Sequence, residues 1–338
     1  MSVSGVRVKA TLTALMMSLL VAGCGSSQPA DETLVPPEAR GTFPVTVEHK
    51  YGSTTVEKQP SRIVTLGLSD HDAVLALGIR PVGAVDWFKE RPYGKWPWTQ
   101  ALWGDRPPEI VGERDDYNFE KIAALKPDLI LAQYSGMKKE QYDKLSQLAP
   151  VVAQPPKFED YAAPWREMTR MVGRSLGLAQ KADDLIAGID ARFAKARAEH
   201  PEFAKLSMVV ADTFEAGKFS AFTTTDPKMI FMTELGFQPH PPVVKESEPA
   251  KNVVDVTSER FDLFDADRLV WLNSDAGAEA RVRADPVYGR LKVSAGKRDL
   301  FITYENPPVG AAISFNTVLS VPYAIEQLVP KLAAVPGE

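Results

Sequence analysis

Cysteine occurs once in the 338 residues, at Cys24, so an intramolecular disulfide is excluded whatever compartment the chain occupies. Histidine is nearly as scarce. His49, His71, His200 and His240 are scattered without ligand spacing, which argues against a receptor for a bare zinc or manganese ion. No Lys/Arg-rich block stands out and the formal net charge is −5, so neither nucleic acid nor an anionic membrane surface is an electrostatic partner. Gly-x-Ser-x-Gly, His-Glu-x-x-His and a phosphate-cradling glycine loop are all missing. A hidden pair of carboxylates is the one catalytic device left, and nothing points to it. What is present is ordinary globular composition, 44% hydrophobic and 25% charged, enough for more than one core.

The amino-terminal end differs from the rest. Arg7 and Lys9 precede an uncharged, mostly apolar run from Ala10 to Ala22, which closes at Val21-Ala22-Gly23-Cys24. The run is too short for a comfortable transmembrane helix, and small residues precede the cysteine as a processing peptidase needs. Residues 1–23 therefore resemble a bacterial lipoprotein signal, with Cys24 as the lipidation site. Each buried acyl CH₂ contributes roughly 0.8 kcal/mol, so two or three chains hold a protein firmly at a membrane. Residues 24–42, rich in Ser, Pro, Asp and Glu, read as a solvated tether with a root-mean-square span of about 20–25 Å.

Beyond the tether, residues 43–56 alternate apolar and polar side chains about Tyr51-Gly52-Ser53, the mark of a hairpin. Residues 62–67 then read as a buried strand, 70–77 as a helix and 82–87 as a second strand, a βαβ unit that requires a parallel sheet. Helices are expected at 118–125 and 138–148, and strands at 128–133 and 151–154. The second half repeats the outline, with strands at 207–214 and 268–273 and helices at 227–235 and 259–264. Leu77-Gly78-Ile79-Arg80-Pro81 corresponds to Leu235-Gly236-Phe237-Gln238-Pro239, and Lys126-Pro127-Asp128-Leu129-Ile130 to Asp265-Ala266-Asp267-Arg268-Leu269.

Repetition of a whole lobe predicts an α/β protein with two Rossmann-like lobes, mainly parallel sheets and a ligand cleft between them. Between the halves, Leu178, Ala182, Leu185, Ile186, Ile189, Phe193 and Ala196 share one helical face until Pro201 ends the run. Roughly 22 residues span about 33 Å, enough to cross from lobe to lobe. The expected organisation is a first lobe at 43–163, connecting helices at 164–200 and a second lobe at 201–338. A single rigid linking helix predicts limited cleft closure.

Lipobox, tether, two lobes and linking helix together resemble the helix-linked (class III) periplasmic substrate-binding lipoproteins of ABC transporters, which bind ferric siderophores, haem or cobalamin. Residues 87–98 (WFKERPYGKWPW), 118–132 (NFEKIAALKPDLILA), 134–145 (YSGMKKEQYDKL) and 314–330 (SFNTVLSVPYAIEQLVP) look closest to the actinobacterial iron-siderophore type. The resemblance covers nearly all of the mature chain. It implies a monomeric, lipid-anchored receptor on the outer face of the cytoplasmic membrane, without a cofactor of its own, that passes a ferric siderophore or haem to an ABC permease dimer. It also implies that one exposed glutamate per lobe docks on the permease, Glu140 on the first and Glu259 on the second. Carboxylates at helix N-termini are favourable for local reasons too, so capping is the competing reading. Where the family often carries an arginine near Thr225-Asp226-Pro227-Lys228-Met229, this chain offers Lys228, and that departure favours haem or a lipophilic siderophore over a highly anionic one.

Ligands of open parallel sheets bind beyond the carboxyl ends of the strands, here after Leu66, Val85, Leu131, Ala211, Trp271 and Thr303. Four of the six tryptophans, Trp87, Trp96, Trp98 and Trp103, crowd residues 86–103 together with Lys89, Arg91, Tyr93 and Lys95, a stretch that reads as one long loop. Aromatic faces with a few cations suit a planar or catecholate-like anion. Trp87, Tyr93, Trp96 and Trp98 are accordingly assigned to the cleft and Trp103 to a small core beneath the loop. Arg114 either meets ligand oxygens at the rim or pairs with Asp115 or Asp116. Tyr134 is expected to point into the cleft, and Phe222, Asn273 and Tyr304, with Phe214 and Phe219 nearby, are the second-lobe candidates. For haem, Tyr134, Tyr117 or His71 would be the axial ligand. The rival readings are an envelope lipoprotein that presents siderophore or haem to a partner other than a permease, a cobalamin receptor, and an enzyme.

Overall fold

The structure, a computed structural model, describes residue 1 and residues 41–86, 96–213, 218–249, 251–273 and 275–337. The chain divides into two compact units, Met1–Thr33 and Leu34–Glu338, and every described strand and helix belongs to the second. Apart from Met1, the expected export signal lies outside the described residues, as do Cys24, most of the expected tether, Trp87, Tyr93 and Phe214.

β1 (Val45–His49) and β2 (Gly52–Val56) form the expected antiparallel hairpin, with Gly52 at φ 124° opening β2 directly after the turn. The tether ends sooner than its composition suggested. Gly41 donates its N–H to Gln59 Oε1 at 2.6 Å and Thr42 donates to the Gly177 carbonyl at 3.2 Å, which fastens both residues to the folded body. A Cβ on Gly41 would lie 2.1 Å from the Leu176 carbonyl oxygen, so only glycine fits this approach.

The first lobe contains β3 (Ile63–Thr65), β4 (Gly83–Asp86), β5 (Glu109–Glu113), β6 (Asp116–Tyr117), β7 (Leu129–Leu131) and β8 (Val151–Val152), in the order β6-β5-β4-β3-β7-β8. All pairs are parallel except β5 with β6. The second lobe contains β9 (Ser207–Asp212), β10 (Phe219–Phe222), β11 (Gln238–Pro239), β12 (Val253–Val256), β13 (Arg268–Asn273) and β14 (Asp299–Thr303). Their order is β12-β10-β9-β13-β14, with β11 beside β9, and β10 runs antiparallel to both of its neighbours.

Alternation along the strands assigns the faces of both sheets. Ile63, Leu129 and Leu131 of the first lobe and Met208, Val210, Val270, Leu272 and Ile302 of the second enter one continuous core. Val64, Val111 and Ile130 point the other way into an outer core of the first lobe, and Val209, Leu269 and Trp271 into an outer core of the second.

The helices Trp165–Ser175, Ala179–Glu199 and Ser320–Ala333 supply much of the shared core. The linking helix Ala179–Glu199 buries Ala182, Ile186, Ile189, Phe193 and Ala196, and its 21 residues give a length of about 32 Å. Phe193 meets Phe231 of the second lobe edge-on at 5.6 Å. Arg166 adds charge to the join, reaching Asp190 on the linking helix and Glu234 on the second lobe, both at 2.5 Å.

Two devices recur in both lobes and account for the sequence repeat. The helices Asp70–Ala76 and Pro227–Glu234 are each followed by a glycine with positive φ, Gly78 at 92° and Gly236 at 110°. The next residue then donates back into the last turn, Ile79 to Val74 at 3.1 Å and Phe237 to Met232 at 3.2 Å. At the strand starts, Asp128 accepts the N–H groups of Ser61 and Arg62, both at 2.8 Å, and Asp267 accepts the N–H and hydroxyl of Ser207, both at 2.7 Å. Each carboxylate pins the beginning of the strand beside it.

The stretch 86–103 is not one loop, because Pro97–Trp103 is a helix with proline at its first position. Its hydrophobic anchor is Trp103, 1% exposed, whose ring lies 5.9 Å from that of His71.

Candidate functional site

The lobes meet through aromatic rings. The helix Pro97–Trp103 carries Trp98, which stacks on Trp96 with centroids 5.1 Å apart and planes within 5°. The same pair meets rings of the second lobe: Trp96 lies edge-on to Tyr304 at 6.4 Å and to Phe315 at 5.7 Å, and Trp98 lies 5.3 Å from Tyr323. Trp96 is buried and Trp98 half-buried, so the stack leaves part of one indole open.

A second cluster combines charge with aromatic faces. Tyr134 follows the carboxyl end of β7, where the Asp70 carboxylate accepts the N–H groups of Gln133 at 2.7 Å and Tyr134 at 3.0 Å. Burial pushes Asp70 up to about 6 despite these bonds. Tyr134 lies edge-on to Tyr161 at 5.7 Å, and the Arg114 guanidinium covers the Tyr161 ring at 4.9 Å. Arg114 and Tyr161 hold positive φ, 53° and 61°, a conformation that costs a non-glycine residue on the order of 1 kcal/mol and recurs at binding sites.

On the second lobe, Lys228 places its ammonium 3.9 Å from the centroid of Phe222 and 3.0 Å from the Asp226 carboxylate. Asp226 also caps the helix Pro227–Glu234 by accepting the Lys228 N–H at 2.9 Å. Asp212, at the end of β9, is pushed up to about 7, chiefly by burial and further by Asp226 and Asp255, against the pull of Lys228. Burial, then the Asp226 charge across the lobes, pushes Tyr134 up to about 12.

The structure thus brings together Trp96, Trp98 and Tyr304 in one group and Arg114, Tyr134 and Phe222 around another. Of the two readings the sequence left open for Arg114, the structure shows the pairing, with Nε 3.8 Å from Asp115, and leaves the side chain 57% exposed. Asn273 ends β13 beside Tyr304, whose N–H it accepts at 3.2 Å, and its side-chain oxygen is buried without a hydrogen bond from the described residues. Phe219 turns away into the outer core of the second lobe, edge-on to Phe261 at 4.7 Å.

Two of the three candidate haem ligands are displaced. Tyr117 is 4% exposed in the outer core of the first lobe, and His71 is 7% exposed between Asp72 and Trp103. Neither offers an open face to a macrocycle. Among the described residues no group of three or more His, Cys, Asp or Glu is placed to hold a metal ion, and no helix is long and apolar enough to cross a membrane.

Tyr161, Asp226, Phe315 and Tyr323 stand in these clusters without having been singled out from the sequence. Phe315 and Tyr323 lie within the 314–330 motif and were legible there. Tyr161 carries no signal, because only the chain path after β8 brings it beside Arg114.

Two α/β lobes that share a core and present aromatic and charged groups to each other define a bilobal binding protein. The periplasmic binding protein family model matches residues 63–295, and the chain belongs to that family, whose members bind ligands rather than transform them. The chain is 30% identical to "Probable siderophore-binding lipoprotein YfiY" of Bacillus subtilis (strain 168), over 66% of this chain and 65% of the relative. It spans less than two thirds of the length of the curated relatives it matches first.

Two solved structures cover their counterparts almost completely. A periplasmic solute binding protein from Mycobacterium smegmatis str. MC2 155 is 31% identical with a TM-score of 0.76, over 86% of this chain and 98% of that one. PiaA of Streptococcus pneumoniae TIGR4 in complex with ferrichrome is 28% identical with a TM-score of 0.69, also over 86% and 98%.

Proposed function

We propose that this protein is the extracytoplasmic substrate-binding component of an ABC importer, and that it captures a ferric siderophore between its lobes for delivery to a permease. The observations that carry the reading are the Trp96–Trp98 stack of the first lobe against Tyr304 of the second, and a separate cluster of Arg114 and Tyr134 on the first lobe with Phe222 and Lys228 on the second. Aromatic faces with a few charge-assisted hydrogen-bonding groups suit a compact chelate that is apolar outside and rich in oxygen. The ferrichrome bound by PiaA and the siderophore named for the Bacillus relative support the same ligand class.

Siderophore is preferred to haem because two of the three candidate axial ligands, Tyr117 and His71, are buried, and because PiaA, which the chain resembles, binds ferrichrome. The proposal includes lipid attachment at Cys24, a tether over residues 24–40, lobes at 43–163 and 201–338 joined by helices at 164–200, and action as a monomer. Glu140 and Glu259, both exposed, are the proposed contacts to the permease dimer.

Tryptophan-fluorescence titration of the tether-truncated protein with ferrichrome, ferrioxamine B, ferric citrate, haem and cobalamin tests the assignment. Saturable submicromolar quenching by a ferric siderophore, weakened in Trp98→Phe, is the expected result. A folded sample that binds none of them would move the assignment to an envelope interaction protein.

A further inference from the structure

The turn between β5 and β6 is only Arg114 and Asp115, because Glu113 already pairs with Asp116. It lies at the carboxyl end of β5, the same end of the parallel strands as Tyr134 beyond β7, where ligands of such sheets bind. Three donors from separate stretches of the first lobe converge on the Asp115 carboxylate. Oδ1 accepts the Gly136 N–H at 3.0 Å and the Tyr117 hydroxyl at 3.3 Å, and Oδ2 accepts the Tyr161 hydroxyl. The Asp115 carbonyl accepts the Gln141 side-chain amide at 2.7 Å, so the backbone of the turn is held as well as its side chain.

These bonds decide what Tyr161 can offer. A carboxylate only accepts, so the single phenolic proton of Tyr161 goes to Asp115, and its oxygen is left to accept the Arg114 Nε–H at 3.4 Å. The guanidinium also covers the Tyr161 ring, 4.9 Å from its centroid. Nε is thereby committed to the protein, whereas the two terminal nitrogens have no hydrogen bond to any described residue and the side chain is 57% exposed. Their fork matches a carboxylate or a similar oxyanion. Lys228, the cation of the second-lobe cluster, is only 12% exposed and is committed to Asp226 at 3.0 Å. Gly136 adds a steric condition, since a Cβ there would lie 3.0 Å from Asp115 Oδ2 and 3.1 Å from the Tyr161 hydroxyl oxygen, in the contact between them.

We propose that Asp115, acting through Tyr161, is a positioning residue that presents the open fork of Arg114 as an oxyanion clamp, and that the ligand it favours is a ferric chelate with an uncoordinated carboxylate at its surface. The inference rests on the proposed siderophore site and narrows the ligand class within it. Without the Tyr161 link the ligand must order the long Arg114 side chain on binding, which corresponds to roughly 3- to 10-fold weaker affinity. Loss of the guanidinium itself removes a charge-assisted pair, roughly 10- to 100-fold.

Calorimetric titration of the full chain in detergent compares ferric citrate, which carries free carboxylates, with ferrichrome, a neutral hydroxamate chelate. Tyr161→Phe keeps the ring under the guanidinium and removes only the link. It is expected to bind ferric citrate about 3- to 10-fold more weakly and ferrichrome unchanged, and to add no loss to Arg114→Ala in the double variant. Asp115→Asn is expected to reproduce Tyr161→Phe. Should it fail to fold, Gly136→Ala, which crowds the Asp115–Tyr161 contact without removing a polar group, is expected to show the same selective loss. A merely structural role would weaken both chelates and would persist without Arg114. If ferric citrate alone binds, the ligand class is supported and the double-variant comparison decides the positioning role. Unchanged ferric citrate affinity in folded Arg114→Ala or Tyr161→Phe, equal losses for the two chelates, or binding of ferrichrome alone overturns the inference and leaves the siderophore reading standing. A folded wild-type protein that binds neither chelate overturns both.

Discussion

The burial of Asp72 makes a prediction about stability against pH that needs no ligand. Its carboxyl is pushed up from 3.8 to about 7, chiefly because burial disfavours the charged form, with the Thr317 and Trp98 bonds pulling the other way. The folded protein therefore keeps a proton that the unfolded chain has released. Its stabilising contribution is complete below about pH 4 and is lost as pH rises through about 7, by at most about 1.4 kcal/mol per pH unit and about 4 kcal/mol in all. His71, lowered to about 3 by burial, acts with the opposite sign, since only the unfolded chain protonates it between about pH 3 and 6.5. Asp72→Asn removes the first slope and leaves the second. Urea unfolding of both proteins from about pH 4 to 8 is expected to show the wild type losing stability relative to the variant across that range. A difference between the two that stays constant to within about 0.5 kcal/mol would refute the assigned environment of Asp72.

Other outcomes follow from the same structure. Phe193→Ala opens the shared core under the linking helix and is expected to cost about 3–5 kcal/mol in chemical denaturation, with both lobes lost in one transition because they share that core. Trp96→Ala breaks the stack and should weaken siderophore binding at least tenfold in calorimetry, a loss of about 1.4 kcal/mol or more. Glu140→Ala with Glu259→Ala should leave binding unchanged and lower iron-siderophore uptake in cells, because both side chains are exposed and are proposed to meet the permease rather than the ligand. Solution scattering should register little closure on saturation with ligand, with backbone shifts on the order of 1 Å, since bending would have to distort a packed 21-residue helix.

Much of the fold was legible from local rules. The glycines at 78 and 236 and the aspartates at 128 and 267 announced the repeat because each satisfies backbone groups within its own turn or neighbouring strand start, a requirement that sequence spacing expresses directly. The apolar stripe from Leu178 to Ala196 announced the linking helix for the same reason. The antiparallel strands β10 and β12 were not anticipated, since alternation marks a strand but not its direction. The helix Pro97–Trp103 carries no helical signal in its sequence, because its tryptophans pack against distant elements rather than one another along a helical face.

The sequence by itself determined the class: α/β, two lobes and one helix between them, all consequences of periodicity and chain order. Which side chains come together in the candidate site was decided by tertiary structure. Arg114 and Tyr161 are 47 positions apart, and Asp72 and Thr317 are 245 apart, yet each pair is in contact. Contacts at such separations depend on how two sheets pack about a common core, and periodicity within either lobe carries no record of it.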